Sequence, residues 1–197
     1  MGDRKLRIAG IAGLAAPIFT FACILIAIAS WKGFSWTNNA LSDLGVQNGI
    51  TGFVFNSGLV IGGFLFLFFT IGLLDLAGKR YLGKVGTAIF AFTCISLTAI
   101  GVFNEHFKPM HYLVSVAFFV SLPVSMLILA AAFWLLGKRK LGLFTIIVGF
   151  VAAAPWILQF AFHYVQNVAV PEFASGLAGA AWAMVLSCLM LKEFSRH

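Results

Sequence analysis

Six stretches of mainly apolar residues, at about 8–29, 53–77, 85–103, 112–136, 143–162 and 173–191, alternate with short polar segments. Each comes close to or exceeds the roughly 20 residues that a helix needs to cross about 30 Å of hydrocarbon. Helices also satisfy their own backbone groups, as lipid demands, so each stretch predicts a membrane-spanning helix. Together they use most of the chain, which predicts an all-α, polytopic membrane protein forming a single domain over residues 1–197. The polar segments are unequal: 78–84 and 137–142 read as tight helical hairpins, whereas 30–51 is much longer. Within that long loop TNNALSDLG, at 37–45, has a helix-capping Asn near its start and a Gly at its end. This punctuation predicts a short helix on the outer surface, with Ala40, Leu41 and Leu44 resting on the bundle and Ser42 and Asp43 turned toward polar partners. Pro123 and Pro155 fall inside spans, where kinks rather than breaks are expected.

Composition agrees with the pattern. A chain of 197 residues that is 61% hydrophobic, only 10% charged and holds 22 Phe has too much apolar surface for a water-soluble fold of this size. The net charge of +7 acquires its meaning from position. Arg4, Lys5, Arg7, Lys79, Arg80, Lys84, Lys138, Arg139, Lys140, Lys192 and Arg196 all fall on one side of the predicted membrane, and only Lys32 and Lys108 fall opposite. This positive-inside asymmetry predicts a multi-pass protein of the cell membrane with both termini in the cytoplasm. Anionic lipid headgroups account for the basic charge, so membrane lipids are the expected partners and nucleic acid is not. A homo-oligomer is compatible with the sequence. Trp31, Trp36, Tyr112 and Tyr164 on one side, and Tyr81 and Trp134 on the other, form the expected interfacial belts. Cys23, Cys94 and Cys188 each lie inside a span and read as small apolar fillers. The basic start followed by an apolar run and Ala27-Ile28-Ala29 imitates a cleavable signal, but that run, about 22 residues, exceeds a normal signal core and is expected to stay as the first span.

A weak repeat is visible: GKRYLG at 78–83 and GKRKLG at 137–142 agree at five of six positions, 59 residues apart. It would superpose spans two and three on spans four and five and map Asn104 onto His163. Polar chemistry gathers on the outer side. Gln159, His163, Gln166 and Asn167 follow one another at three- or four-residue spacing or side by side, which places them on one helix face. His111 and Ser115 share a face of span four, and Asn56 lies one turn inside span two, where an unpaired amide costs about 1–3 kcal/mol. The expectation is an outward-facing polar pocket roofed by the Ser42–Asp43 helix and lined by Asn56, Glu105, His106, His111, Gln159 and His163. Taken singly, His106, Lys108 and Glu172 read as solvated helix-end residues.

NALSDLG at 39–45 followed by Phe55-Asn56-x-Gly58, six spans, and a histidine where span four begins resemble the membrane proteins grouped as domain of unknown function 998. The likeness covers roughly residues 39–191 and implies a six-helix fold with interest in Ser42, Asp43, Asn56 and His111. That family is similar to a wider group containing damage-regulated autophagy modulators and the Sfk-type proteins tied to phospholipid organisation, which points toward lipids without a reaction. Three readings follow. The first is a protein that binds a polar lipid or lipid-like small molecule in the outer pocket, as sensor, organiser or carrier. The second is a membrane-embedded metal-dependent lipid hydrolase with Asp43, His111 and His163 as ligands and Glu105 as base, since zinc catalysis needs three protein ligands and an open position. The third is a b-type haem protein ligated by His111 and His163. No phosphate loop, nucleophile elbow or zinc-protease signature is present to select a reaction.

Overall fold

The computed structural model describes residues 2–78 and 80–194; Lys79 and Arg196, two of the basic residues counted above, lie outside them. Six long helices carry the apolar stretches: α1 Gly2–Ser30, α2 Ile50–Ala77, α3 Tyr81–Val102, α4 Lys108–Leu135, α5 Arg139–Phe162 and α6 Ala169–Phe194. All six are long and apolar enough to cross a membrane. Helices α4 and α6 begin about a turn earlier than hydropathy alone predicts. Pro109 and Pro171 lie in their first turns, where a missing N–H costs no hydrogen bond. The helices run unbroken through Pro17, Pro123 and Pro155.

Each helix packs on its sequence neighbours and α1 closes against α6, so the six form a ring. Close approach depends on small residues. On α2 a Cβ added to Gly72 would stand 2.6 Å from the Ala9 Cβ, and one added to Gly62 would collide with the Thr20 hydroxyl. The α1–α2 seam is therefore a backbone-level contact of the small-residue kind that lipid-embedded helices favour. The α2–α3 and α4–α5 turns each reverse at a glycine with positive φ, 79° at Gly78 and 75° at Gly137. These are the matching glycines of the two GKR motifs, and L side chains strain in that conformation.

The interior divides into two halves. Toward the basic end, where the Lys138 ammonium donates to the Leu76 carbonyl at 2.9 Å and so caps α2, the ring is filled solid. Trp182 of α6 is fully buried there, with its ring centroid 5.2 Å from that of Phe90 and 6.1 Å from that of Phe69. Its indole N–H donates to Thr145 Oγ1 at 3.1 Å, and Met126, Leu129, Phe133 and Leu186 complete the plug. Toward the opposite end a second cluster, including Ile24, Leu59, Leu97 and Ile100, forms a wall without such a centre. That end is covered by the long loop after α1 and is here called the roofed end.

Two substitutions test this packing. Gly62→Val should lower stability in detergent by about 1–3 kcal/mol through overpacking of the α1–α2 seam. Thr145→Val keeps the volume but orphans the buried indole N–H, and a loss of about 1–3 kcal/mol is expected; thermal unfolding with tryptophan fluorescence reads both.

Candidate functional site

The loop over the roofed end has to satisfy its own backbone polar groups at the edge of an apolar phase, and its sequence is built for that. Asn39 accepts from the Ser35 N–H at 2.9 Å and donates its amide to Asp43 Oδ2 at 2.7 Å. The same Asp43 oxygen accepts from the Ala40 N–H at 3.0 Å, and the Gln47 amide donates to the Asp43 carbonyl at 3.0 Å. These bonds wind Leu41–Val46 into a 3-10 helix, the short helix expected within 37–45. Asp43 at its third position, rather than Asn at its start, ties off the first free N–H. Gly45 lies inside the turn and does not end it; a Cβ there would stand 2.6 Å from Asn56 Oδ1. Ala40, Leu41 and Leu44 are buried against the bundle, as expected.

Three helices or their flanks then grip this roof. Glu172, in the first turn of α6, accepts the Leu41 N–H at 2.6 Å. Glu105, in the short 3-10 turn Glu105–Phe107 before α4, accepts the Ser42 hydroxyl at 2.6 Å. The Asn56 amide of α2 donates to the Gly45 carbonyl at 2.8 Å. Backbone bonds from Asn167 N–H to Thr37 O at 2.9 Å and from Ala169 N–H to Asn39 O at 3.0 Å pin the earlier part of the loop to the start of α6. A run of edge-to-face rings, Phe34 to Trp36 at 5.2 Å, Trp36 to Phe173 at 5.1 Å and Phe173 to Phe21 at 5.2 Å, continues the clamp down into α6 and α1. Asp43, Glu105 and Glu172 thus surround one short turn. Among the described residues no basic side chain pairs with any of them.

Beneath the roof lies a cavity of about 100 Å³, lined by α1, α2, α3, α4 and α6. Its α3 wall runs from Phe90 to Ile100, a rise of about 15 Å at 1.5 Å per residue. The lining is dominated by Phe and Leu, with hydroxyls at Thr20, Thr93 and Ser115. Ser42 and Glu172 form its polar tip, and Glu172 is the one ionisable acid or base in the lining. Space on the α6 side comes from Gly176, Gly179 and Ala180.

Of the eight residues singled out in the sequence, Ser42, Asp43, Asn56 and Glu105 meet at the roof, and Ser42 alone lines the cavity. The other four are placed elsewhere. His106 is exposed, with its N–H bonded to Asn104 Oδ1 at 3.2 Å. His111 donates from Nδ1 to the Phe103 carbonyl at 2.7 Å and so satisfies the end of α3. Gln159 is buried, and its amide clasps the backbone of Val165 through bonds of 2.9 and 3.3 Å. His163 is exposed and ends α5 in the left-handed conformation, φ 48° and ψ 47°. Asp43, His111 and His163 do not converge, and among the described residues no three His, Cys, Asp or Glu side chains are grouped to hold a metal. Glu172 is the residue that sequence reasoning underrated. Its signal was an acid in the first apolar turn of a span, directly before Phe173, which helix-end solvation explained equally well.

Asp43→Ala should cost about 2 kcal/mol and deprotect the amides of residues 40–46 in hydrogen exchange, because it frees both the Ala40 N–H and the Asn39 amide. His163→Gly should instead raise stability by about 0.5–1 kcal/mol by relieving the left-handed backbone. Thermal unfolding that ranks these two variants in the opposite order would contradict the roles assigned.

No curated protein and no solved structure matches the chain at a significant level. A family model described as "Protein of unknown function (DUF998)" matches residues 14–189. Those residues include most of the first and sixth spans and all of the other four, with the roof and the cavity lining, and the protein is a member of the DUF998 family of integral membrane proteins.

Proposed function

We propose that the protein holds a lipid-like amphiphile inside the ring of helices, its chain in the cavity and its polar end against Ser42 and Glu172, as a sensor, organiser or carrier. The observation that carries this reading is the cavity itself, mainly apolar along about 15 Å, with three hydroxyls in its walls and its one carboxyl at the roof. Its volume, about 100 Å³, is of the same order as an apolar cavity of roughly 150 Å³ that admits benzene. That suits one slender chain better than a fused ring system. A hydrogen-bonding head would find the Ser42 hydroxyl and the Glu172 carboxylate at the tip. The distribution of cations supports an orientation in the cell membrane with the roofed end outside and both termini in the cytoplasm. The hydrolase and haem readings draw no support from the placement of Asp43, His111 and His163.

Gly176→Leu is the sharpest test. A Cβ there meets only Phe21 Cζ at 3.6 Å, so the longer side chain grows into free space. Leucine is also the better helix former by about 0.8 kcal/mol. Native mass spectrometry should find a bound amphiphile on the purified parent, and the variant should fold at least as stably yet lose it. A parent that carries no such molecule and takes none up from mixed lipid extract, together with a variant that is merely more stable, would mark the cavity as a packing void. Glu172→Gln keeps an acceptor for the Leu41 N–H while replacing the ionisable carboxyl with an amide, and should change which headgroups are retained. For orientation, a cysteine at Asn38 should react with an impermeant maleimide added outside intact cells, and one at Lys84 should not.

A further inference from the structure

We propose a second site, independent of the cavity, at the opposite end of the bundle: a headgroup seat for an anionic phospholipid of the adjoining leaflet, in the hollow between the α4–α5 turn and the end of α6. The hollow encloses about 590 Å³ and is lined by Lys138, Arg139, Lys140 and Lys192 together with Gly137 and three leucines. Among the described residues no acidic side chain lines it.

The turn geometry gathers this charge. Gly137, at φ 75°, reverses the chain so that the Lys138 N–H returns to the Phe133 carbonyl at 2.9 Å. The Lys138 ammonium spans the hollow to the Leu76 carbonyl at 2.9 Å, which fixes one cation and leaves two of its N–H groups for another acceptor. Lys138 gives α5 no side-chain cap, so the first N–H groups of that helix add their positive ends to the same place. Arg139 supplies a planar fork that matches phosphate oxygens, and Lys192 approaches from α6.

The leucines decide between a lipid and a free anion. Leu76, Leu141 and Leu189 form the remaining wall, and Leu189 is 37% exposed on the face that continues along α6. A phosphate seated among the four cations would leave its acyl chains running down that apolar face, at the depth where a leaflet's headgroups meet the ends of spanning helices. Inorganic phosphate would gain nothing from those leucines.

The test compares phosphatidylglycerol with phosphatidylcholine on the full-length protein, counting bound lipids by native mass spectrometry. The parent should retain phosphatidylglycerol preferentially. Arg139→Gln/Lys140→Gln/Lys192→Gln, which spares the Lys138 cap on α2, should weaken it on the order of 100-fold, at about fivefold per cation removed. Arg4→Gln/Lys5→Gln/Lys84→Gln removes three cations of the same end that do not line the hollow, and should keep the preference. Lys192→Glu alone should lower retention at least about fivefold and stands in if the triple variant does not fold. The proposal is overturned by a parent that shows no preference, by equal losses in both triple variants, which is the signature of diffuse surface charge, or by millimolar inorganic phosphate displacing the lipid.

Discussion

The polar groups of one irregular loop, folded across the end of a membrane bundle, constrain the rest of this structure. Peptide groups at the edge of hydrocarbon have no abundant water to fall back on, so each needs a partner from the protein. The loop meets part of this demand internally, through Asn39, Asp43 and Gln47. The remainder comes from below, through Glu172, Glu105 and Asn56, which belong to α6, to the turn before α4 and to α2. The roof is therefore a clasp across three parts of the ring. Satisfying its hydrogen bonds fixes where those helices begin relative to one another.

That clasp explains how an apolar space persists beneath it. In the other half of the ring, bulky side chains from facing helices meet around Trp182 and leave no room. Under the roof the α6 surface is Gly176, Gly179 and Ala180, and the rings of Phe90, Phe118 and Phe119 line the space without closing it. Lipid-embedded helices associate through close van der Waals packing, which by itself favours closing such a gap. Helix ends held apart by hydrogen bonds resist that closure. The gap is thus a consequence of the same bonds that order the loop.

The two ends differ in electrostatic character as well as shape. Three carboxylates surround a single turn at the roof, while four cations surround a hollow at the other end. Among the described residues no basic side chain pairs with the first cluster and no acidic side chain lines the second. The basic end therefore presents positive potential to whatever lies beside it. Apolar residues lie next to each cluster, phenylalanines and leucines at the roof and leucines at the base.

The six spans and the short helix in the first long loop were legible in the sequence, the spans because hydrocarbon acts on each helix separately: about 20 apolar residues suffice, whatever the neighbours. Ser42, Asp43, Asn56 and Glu105 were legible as a polar group because polarity at a span's end is conspicuous against an apolar background. Their division of labour was not. Asp43 turns inward on its own loop, Asn56 and Glu105 hold the roof, and Ser42 alone of the four touches the cavity. His163 and Gln159 share a helix face on paper, yet the left-handed turn at residue 163 sends the histidine outward while the glutamine folds back on Val165. The placement of Glu172 beside Leu41, 131 residues away in sequence, and the gap left by small residues on α6 depend on which helices become neighbours and how closely they approach. Hydropathy is a property of each segment alone and carries no record of such pairings, so they were decided only when the ring closed.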